Sequence, residues 1–318
     1  MTPTFICAQP RTLYYAWQLE VMIMNFIESG IDPGSIEVLL AYSTDPNSAT
    51  NSRDTLWIFD RLREAHPRVR FYDYLDTRPD TSRYVSSIRP HIMSKHFSAM
   101  PRMSKSVIFY HDCDIIFTAS PDFSGTMGDN TCYLSDAASY ISANYLVSKD
   151  RELYEKMCGV VGIDPSVPMS NNHNSGGAQY VLKGVDAGFW QKVESDCESI
   201  YSLLSDEEDL RSASMPGYDP IQKWTSDMWS LLWNLWLGGK SVRTHPSLRF
   251  CWATDPISMV GKYPILHNAG VTGPGRHFFK QDYVDRLPYS ERDRFDNTAC
   301  SHHYFQQVVR YGESSCLR

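Results

Sequence analysis

The sequence predicts a mixed α/β fold with a mainly parallel sheet flanked by helices. Three observations carry that prediction. Apolar runs of strand length recur in the first third of the chain, helical stretches separate them, and turn residues such as Ile31-Asp32-Pro33-Gly34 punctuate the alternation.

The first strand is the apolar run from Thr4 to Ala8, which stops at Gln9-Pro10-Arg11 and gives way to a helix over about Leu13 to Ser29. Ile36 to Tyr42 reads as a second parallel strand, Asp54 to His66 as the next helix, and Val69 to Tyr72 as a third strand. A helix around Pro90 to Met100 precedes the most apolar strand of the first half, Ser106 to Tyr110. That strand ends in His111-Asp112-Cys113-Asp114 before Ile115-Ile116-Phe117 continues. The chain is mixed from 122 to 146 and helical from Asp150 to Val161. Asn171 to Gln179 reads as a polar, glycine-containing loop leading into a strand at Tyr180-Val181-Leu182. Phe189 to Leu204 is an amphipathic helix, and Asp206-Glu207-Glu208-Asp209 reads as a solvated acidic turn. Ser226 to Leu237 is a helix whose Trp229, Trp233 and Trp236 fall at i, i+4 and i+7, a core stripe. The last part holds Ile265-Leu266-His267-Asn268-Ala269-Gly270, then Gly273-Pro274-Gly275 and a polar stretch from Ser290.

At 318 residues, one α/β domain with excursions accounts for the length. The formal charge of −7 supplies no global positive field for a polyanion, so a nucleic-acid partner would need a local basic patch. Arg61, Arg63, Arg68 and Arg70 are interleaved with Asp60 and Glu64 and read as a solvated face instead. The eight cysteines form no Cys-x-x-Cys pair, which disfavours a zinc knuckle or a disulfide scaffold and predicts reduced thiols. The N-terminus lacks a basic segment followed by an apolar core, and no run of about 18 apolar residues occurs. The expectation is a soluble, cytoplasmic protein with no membrane partner.

Asp112 and Asp114 carry the leading chemical signal. Two carboxylates one residue apart, presented where a buried strand ends, can bind a hard cation and leave positions open for phosphate oxygens. The competing reading is a turn with capping aspartates. His267, directly after the apolar run 263–266, offers an imidazole as a third ligand. In Asn174-Ser175-Gly176-Gly177-Ala178-Gln179, paired glycines would let a bound ligand approach the backbone and the amides could hydrogen-bond to it; the competing reading is an ordinary turn before a strand. Asp227 either serves the start of the tryptophan-rich helix as a cap or acts on a bound ligand. Arg89, before Pro90, either caps a turn or contacts phosphate.

Together, Phe109-Tyr110-His111-Asp112-Cys113-Asp114, the Asn174–Gln179 segment and His267-Asn268-Ala269-Gly270 resemble the GT-A glycosyltransferases. In that group a strand ends in Asp-x-Asp, a later loop supports the sugar, and a late His-x-x-Gly completes the metal site. The resemblance runs from the Gln9-Pro10 loop to about Lys280, and is most similar to plant-type peptidyl galactosyl- and arabinosyltransferases and their viral relatives. It implies a GT-A, Rossmann-like single catalytic domain over 1–318, with a nucleotide-binding half (1–120), a donor-sugar and acceptor half (121–290) and a C-terminal tail (291–318). It further implies Mn2+ or Mg2+ on Asp112, Asp114 and His267, and a nucleotide-sugar donor, UDP-linked, used with retention of configuration. Gln9, Pro10 and Arg11 would border base and ribose, and Arg89 and Lys95 the phosphates or sugar. Asn174, Gly176 and Gly177 would line the sugar, Gly270 and Lys280 the diphosphate, and Asp227 and Gln179 are the candidate catalytic side chains. One departure is that the lysine expected soon after His-x-x-Gly is delayed, leaving Arg276 and Lys280 as the nearest cations. The acceptor stays open among protein hydroxyls, glycans and small molecules. A modified DNA base would require a basic groove despite the acidic total. Nucleotidyl transfer is the rival enzyme class, but Gln9-Pro10-Arg11 has no glycine for its phosphate loop. A noncatalytic sugar-binding protein is the other alternative.

Overall fold

The computed structural model describes residues 2–317 apart from Val271, Pro274 and Asp293, so the middle of the Gly273-Pro274-Gly275 segment lies outside the described residues. In chain order the strands are β1 (Thr4–Pro10), β2 (Ile36–Tyr42), β3 (Arg70–Leu75), β4 (Val107–Tyr110), β5 (Ile115–Phe117), β6 (Cys132–Asp136), β7 (Gly176–Lys183), β8 (Val242–Thr244), β9 (Phe250–Trp252) and β10 (Ile265–His267). The longer helices are α1 (Leu13–Glu28), α2 (Arg53–Ala65), α3 (Ile88–Ala99), α4 (Arg151–Val161), α5 (Ala187–Ser214), α6 (Ser226–Leu237) and α7 (Cys300–Glu313). The fold is therefore mixed α/β, and most strand pairs are parallel. Packing groups the chain into two compact units. One comprises Met1–Leu75, Tyr110–Met127 and Pro246–Arg318, and the other Asp76–Phe109 and Gly128–His245.

In the first unit β2 pairs in parallel with both β1 and β3, in the order β3-β2-β1. Phe5, Ile6, Cys7 and Ala8 are fully buried, the continuous apolar run expected of a parallel strand covered on both faces. Helix α1 buries Trp17, Leu19, Met22, Ile23 and Phe26. Its Asn25 locks a second, three-stranded sheet of order β5-β10-β9: Nδ2 donates to Phe117 O at 3.1 Å and Phe117 N–H donates back to Oδ1 at 2.7 Å. Strand β10 runs antiparallel to β5, with His267 opposite Ile115, and parallel to β9, with His267 opposite Trp252. The arginines at 61, 63, 68 and 70 are each paired with a carboxylate, of Glu64, Asp60 and Asp73, Asp32 and Glu37 respectively. They form no free basic patch.

In the second unit the strand order is β4-β7-β6-β8, with β6 antiparallel to β7 and parallel to β8. Asp150 and Asp186 cap α4 and α5 by accepting from Leu153 and Phe189 N–H, and Gly162 ends α4 in the left-handed conformation. Trp229, Trp233 and Trp236 are buried as their spacing predicts. Two expectations are corrected. The acidic run 206–209 is not a turn, because it continues α5 to Ser214. Arg211, four residues on from Glu207, together with Arg83, Lys156 and Lys223, neutralises charges that would otherwise repel along the helix.

The second correction concerns the stretch expected to be a loop up to Gln179, since β7 already begins at Gly176. Both glycines there have close neighbours within the protein. A Cβ on Gly176 would stand 2.4 Å from Ser135 O and 2.8 Å from Leu134 Cβ, and one on Gly177 would stand 2.4 Å from Met228 Cε. Close approach of β7 to β6 is thus what excludes side chains at 176. Ala178 follows in the left-handed region at φ 70°, which glycine would adopt without strain.

Gly176→Ala should accordingly lower unfolding stability by about 2 kcal/mol, because the new methyl meets backbone rather than a side chain that can move; urea denaturation checks it. Stability should also fall as pH drops. Burial holds His66 and His303 below the ordinary imidazole value of 6.5. The unfolded chain therefore binds more protons than the folded one below that value, so stability is full above it and is lost as pH falls through it. Melting temperature should decline between about pH 7.5 and about pH 5.5, and substituting both histidines by glutamine should flatten that slope.

Candidate metal centre

Two backbone ladders build the site. His111 N–H donates to Ile6 O at 3.1 Å, tying the start of the aspartate turn to β1, and Asn268 N–H donates to Asp114 O at 2.9 Å, extending the β5–β10 ladder by one residue. The turn bearing the two aspartates is thereby held against the end of β10, which carries His267. His111 is packed against Phe5 and Phe26, and its Nδ1–H donates to Asp112 O at 2.9 Å. Burial pushes its imidazole down to about 4, so it stays neutral within the core.

Asp112, Asp114 and His267 each bring a ligand atom to within 4.8 Å of one another. His267 Nε2 lies 3.2 Å from Asp114 Oδ1 and 3.5 Å from Asp112 Oδ2. The imidazole is stacked on Trp252, ring centres 6.1 Å apart at 13°, with the edge of Phe250 beside it. Asp114 and His267 are nearly buried, whereas the Asp112 side chain keeps 22% of its surface and forms the accessible side of the group. Lys280 also bonds the Asp114 carboxylate, through Oδ2. Burial alone would raise the Asp114 carboxyl, but the Lys280 ammonium and His267 hold it below the usual carboxylate range. Burial works against the Lys280 charge too, and Asp114 more than restores it.

Two carboxylates and an imidazole converging this closely are a donor set for a hard or borderline divalent cation such as Mn2+ or Mg2+. Cys113, between the aspartates, does not contribute, because burial and the neighbouring carboxylates hold its thiol well above its ordinary value and hence protonated. Sequence reasoning missed Trp252, which orients the imidazole, and Tyr14, whose hydroxyl titrates in the field of Lys280 and Asp114 once burial has raised it. Neither carries a motif. Only the β9–β10 pairing and the first turn of α1 bring them near.

The other predicted residues fall into separate groups. Gln9 and Pro10 close β1, with Gln9 buried. Arg11 is held by Thr50 O, Asn51 Oδ1 and Asp73 at 3.1, 3.2 and 3.1 Å, and lies over the Tyr42 ring. Of the two late cations, Lys280 joins the metal group while Arg276 pairs with Asp296 at 2.8 Å. Gly270 is exposed and packs beside Lys280, whose Cε would be 3.6 Å from a Cβ there.

In the second unit Arg89 Nη2 pairs with Asp227 Oδ2 at 2.5 Å, and Tyr84 OH donates to Asp227 Oδ1 at 2.6 Å. Asp227 thus joins α6 to α3 and to the segment before it. Burial raises the Tyr84 phenol well above its ordinary value, which keeps it a donor. Lys95 is half-buried on α3. Gln179 is fully buried and accepts from Ser135 Oγ at 2.7 Å, and Asn174 is half-buried, its side chain meeting His173 at 3.0 Å.

No family model and no curated protein matches this sequence. Solved structures similar to it are glycosyltransferases. The WbbM bifunctional glycosyltransferase, in its apo form, aligns at 10% identity and TM-score 0.48, over 97% of this chain and 49% of that one. The mannosyltransferase PcManGT from Pyrobaculum calidifontis, in complex with GDP-Man and Mn2+, aligns at 14% identity and TM-score 0.31, over 74% and 72%. Mouse xyloside xylosyltransferase 1, in its apo form, aligns at 9% identity and TM-score 0.38, over 86% and 99%. The chain therefore spans about half the length of WbbM. Among the described residues no helix is long and apolar enough to cross a membrane.

Because the Lys280 ammonium shares Asp114 with any bound cation, Lys280→Met should tighten Mn2+ binding about tenfold in the absence of nucleotide, close to 1.4 kcal/mol. Asp114→Asn should abolish that binding. Calorimetric titration of Mn2+ into both variants checks the pair.

Proposed function

We propose that the chain is a metal-dependent glycosyltransferase of the GT-A type, moving a sugar from a nucleotide-sugar donor to an acceptor hydroxyl. The observation that supports this reading most is the convergence of Asp112, Asp114 and His267, with Lys280 on the same carboxylate. Sequence resemblance adds the finer reading: a UDP-sugar donor, Mn2+ or Mg2+, and retention of configuration at the anomeric carbon.

In the reaction the acceptor oxygen forms a bond to the anomeric carbon, the bond from that carbon to the diphosphate oxygen breaks, and the acceptor proton leaves to solvent or to the departing phosphate. Asp112, Asp114 and His267 would hold the cation, whose chemistry is to neutralise charge gathering on the diphosphate. Lys280 supplies a second positive charge to the same leaving group once it parts from Asp114. While the two are paired, Asp114 holds the Lys280 proton in place despite burial, and the anionic diphosphate would take over that role. His267 stays in one orientation because Trp252 and Phe250 clamp its ring. The buried His111 and Cys113 remain neutral and add no competing charge.

On the same reading Gln9, Pro10 and Arg11 border the base and ribose. Arg89, Lys95, Asn174, Gly176 and Gly177 serve the donor, and Asp227 and Gln179 are the groups assigned to the reacting sugar. Arg89 engages Asp227 directly, so a role for either in catalysis is coupled to the other. The acceptor class is a hydroxyl compound without strong negative charge. The chain's acidic balance and the carboxylate-paired arginines 61–70 disfavour DNA.

UDP release from a panel of UDP-sugars should require Mn2+ or Mg2+, vanish with chelator, and be lost in Asp114→Ala at unchanged circular dichroism. Full activity in that variant would remove the basis of the proposal.

A further inference from the structure

The C-terminal helix α7 is stitched to the turn that follows β9. Cys300 N–H donates to Asp255 O and Ser301 N–H to Ala253 O, both at 2.8 Å, and Ile257 N–H donates to Thr298 O at 2.7 Å. This seam brings Cys251, the middle residue of β9, against Cys300, the first residue of α7. Both side chains are fully buried, and their sulfurs share a hydrogen bond. Each sulfur also reaches one backbone carbonyl, Cys251 that of Ile265 at 3.5 Å and Cys300 that of Pro256 at 3.3 Å.

The two thiols are not equivalent. Their shared hydrogen bond, together with burial, holds Cys251 well above its ordinary value, whereas the same bond draws Cys300 below its own against the opposing effect of burial. The start of a helix favours a thiolate at Cys300 as well. Burial raises each of the other six thiols, so Cys300 is the one cysteine whose anion the fold favours. A favoured thiolate in contact with a second, protonated thiol has what disulfide formation requires, an attacking sulfur and a resolving one.

We propose that Cys300 and Cys251 form a redox-active dithiol, a modification site that reacts with a hydroperoxide and closes to a disulfide. The Cys300 sulfur bonds one peroxide oxygen as the O–O bond breaks, leaving a sulfenic acid and, after the departing hydroxide takes up a proton, one water. Cys251 then gives up its proton, its sulfur bonds that of Cys300, and the S–O bond breaks to release a second water. Two thiols are oxidised and hydrogen peroxide is reduced to two waters. Burial holds back the first step until the start of α7 opens, helix ends being segments that open at low free energy. The new bond closes a loop of about 50 residues and pins α7 to β9, whose next residue, Trp252, stacks on the His267 imidazole. Neither step needs a metal or a nucleotide sugar.

The test treats the whole folded chain with a few equivalents of hydrogen peroxide, blocks remaining thiols by alkylation, and maps tryptic peptides by mass spectrometry without reductant. Cys251 and Cys300 fall in separate peptides, 250–262 and 295–310, each with one cysteine. These two should appear joined, two hydrogens lighter than their sum, and separate again with dithiothreitol. The melting temperature should rise by about 5 °C on oxidation and return on reduction, and Cys300→Ser should remove both effects. In Cys251→Ser, which lacks the resolving sulfur, Cys300 should stop at a sulfenic acid that dimedone traps. If the serine variants do not fold, the wild-type peptide map decides by itself. The assignment is overturned by a first linkage elsewhere, such as Cys7 to Cys113, by Cys300 passing to sulfinic acid in the wild type without linkage, or by both thiols surviving peroxide unmodified.

Discussion

The hydrogen bond from Asn268 N–H to Asp114 O is the constraint on which the metal centre depends. Without it, the Asp-x-Asp turn and the end of β10 would be two unrelated strand ends separated by about half the chain. With it, the β5–β10 ladder continues one residue past His267, and the imidazole is delivered to both carboxylates. Asn25 anchors β5 from the other side through paired hydrogen bonds to Phe117, so the ladder is fixed to α1 as well. Strand pairing of this kind tolerates little adjustment, because a one-residue slip would turn His267 to the opposite face.

Charge completes what the backbone begins. Two carboxylates and an imidazole so close together cannot stay stable in a buried setting unless a cation answers them, and in this chain Lys280 answers Asp114. That arrangement keeps the centre compact. It also stores the ammonium next to the place where negative charge would develop on a leaving diphosphate. On the proposed reading the lysine would have two partners of opposite timing, Asp114 before the cation is held and phosphate afterwards.

Much of the α/β order was legible because strand and helix periods differ and because turn residues separate them. The tryptophan stripe of α6 and the strand ending in Asp112 and Asp114 needed only local pattern. Where local pattern conflicted with distant partners, reading failed. The acidic run at 206–209 looked like a turn until Arg211 and cations from other elements neutralised it, and no rule of spacing foretells Lys156 or Arg83. The paired glycines at 176 and 177 were visible as a pair, but their close neighbours, Ser135 O and Met228 Cε, were not. For His267 the residue type and its place after an apolar run were visible, but its approach to Asp112 needed strand register. Trp252 was invisible for the same reason, since a ring stacked on a ligand exists only in three dimensions.

The most direct measurement of the central claim is pulsed electron paramagnetic resonance of Mn2+ bound to the protein, first alone and then with UDP. The account predicts modulation from one directly coordinated nitrogen, absent in His267→Ala, and phosphorus couplings that appear when UDP is added. A Mn2+ signal with no nitrogen coupling in the wild type, or one unchanged by UDP, would contradict a centre that joins His267 and a nucleotide diphosphate on one ion.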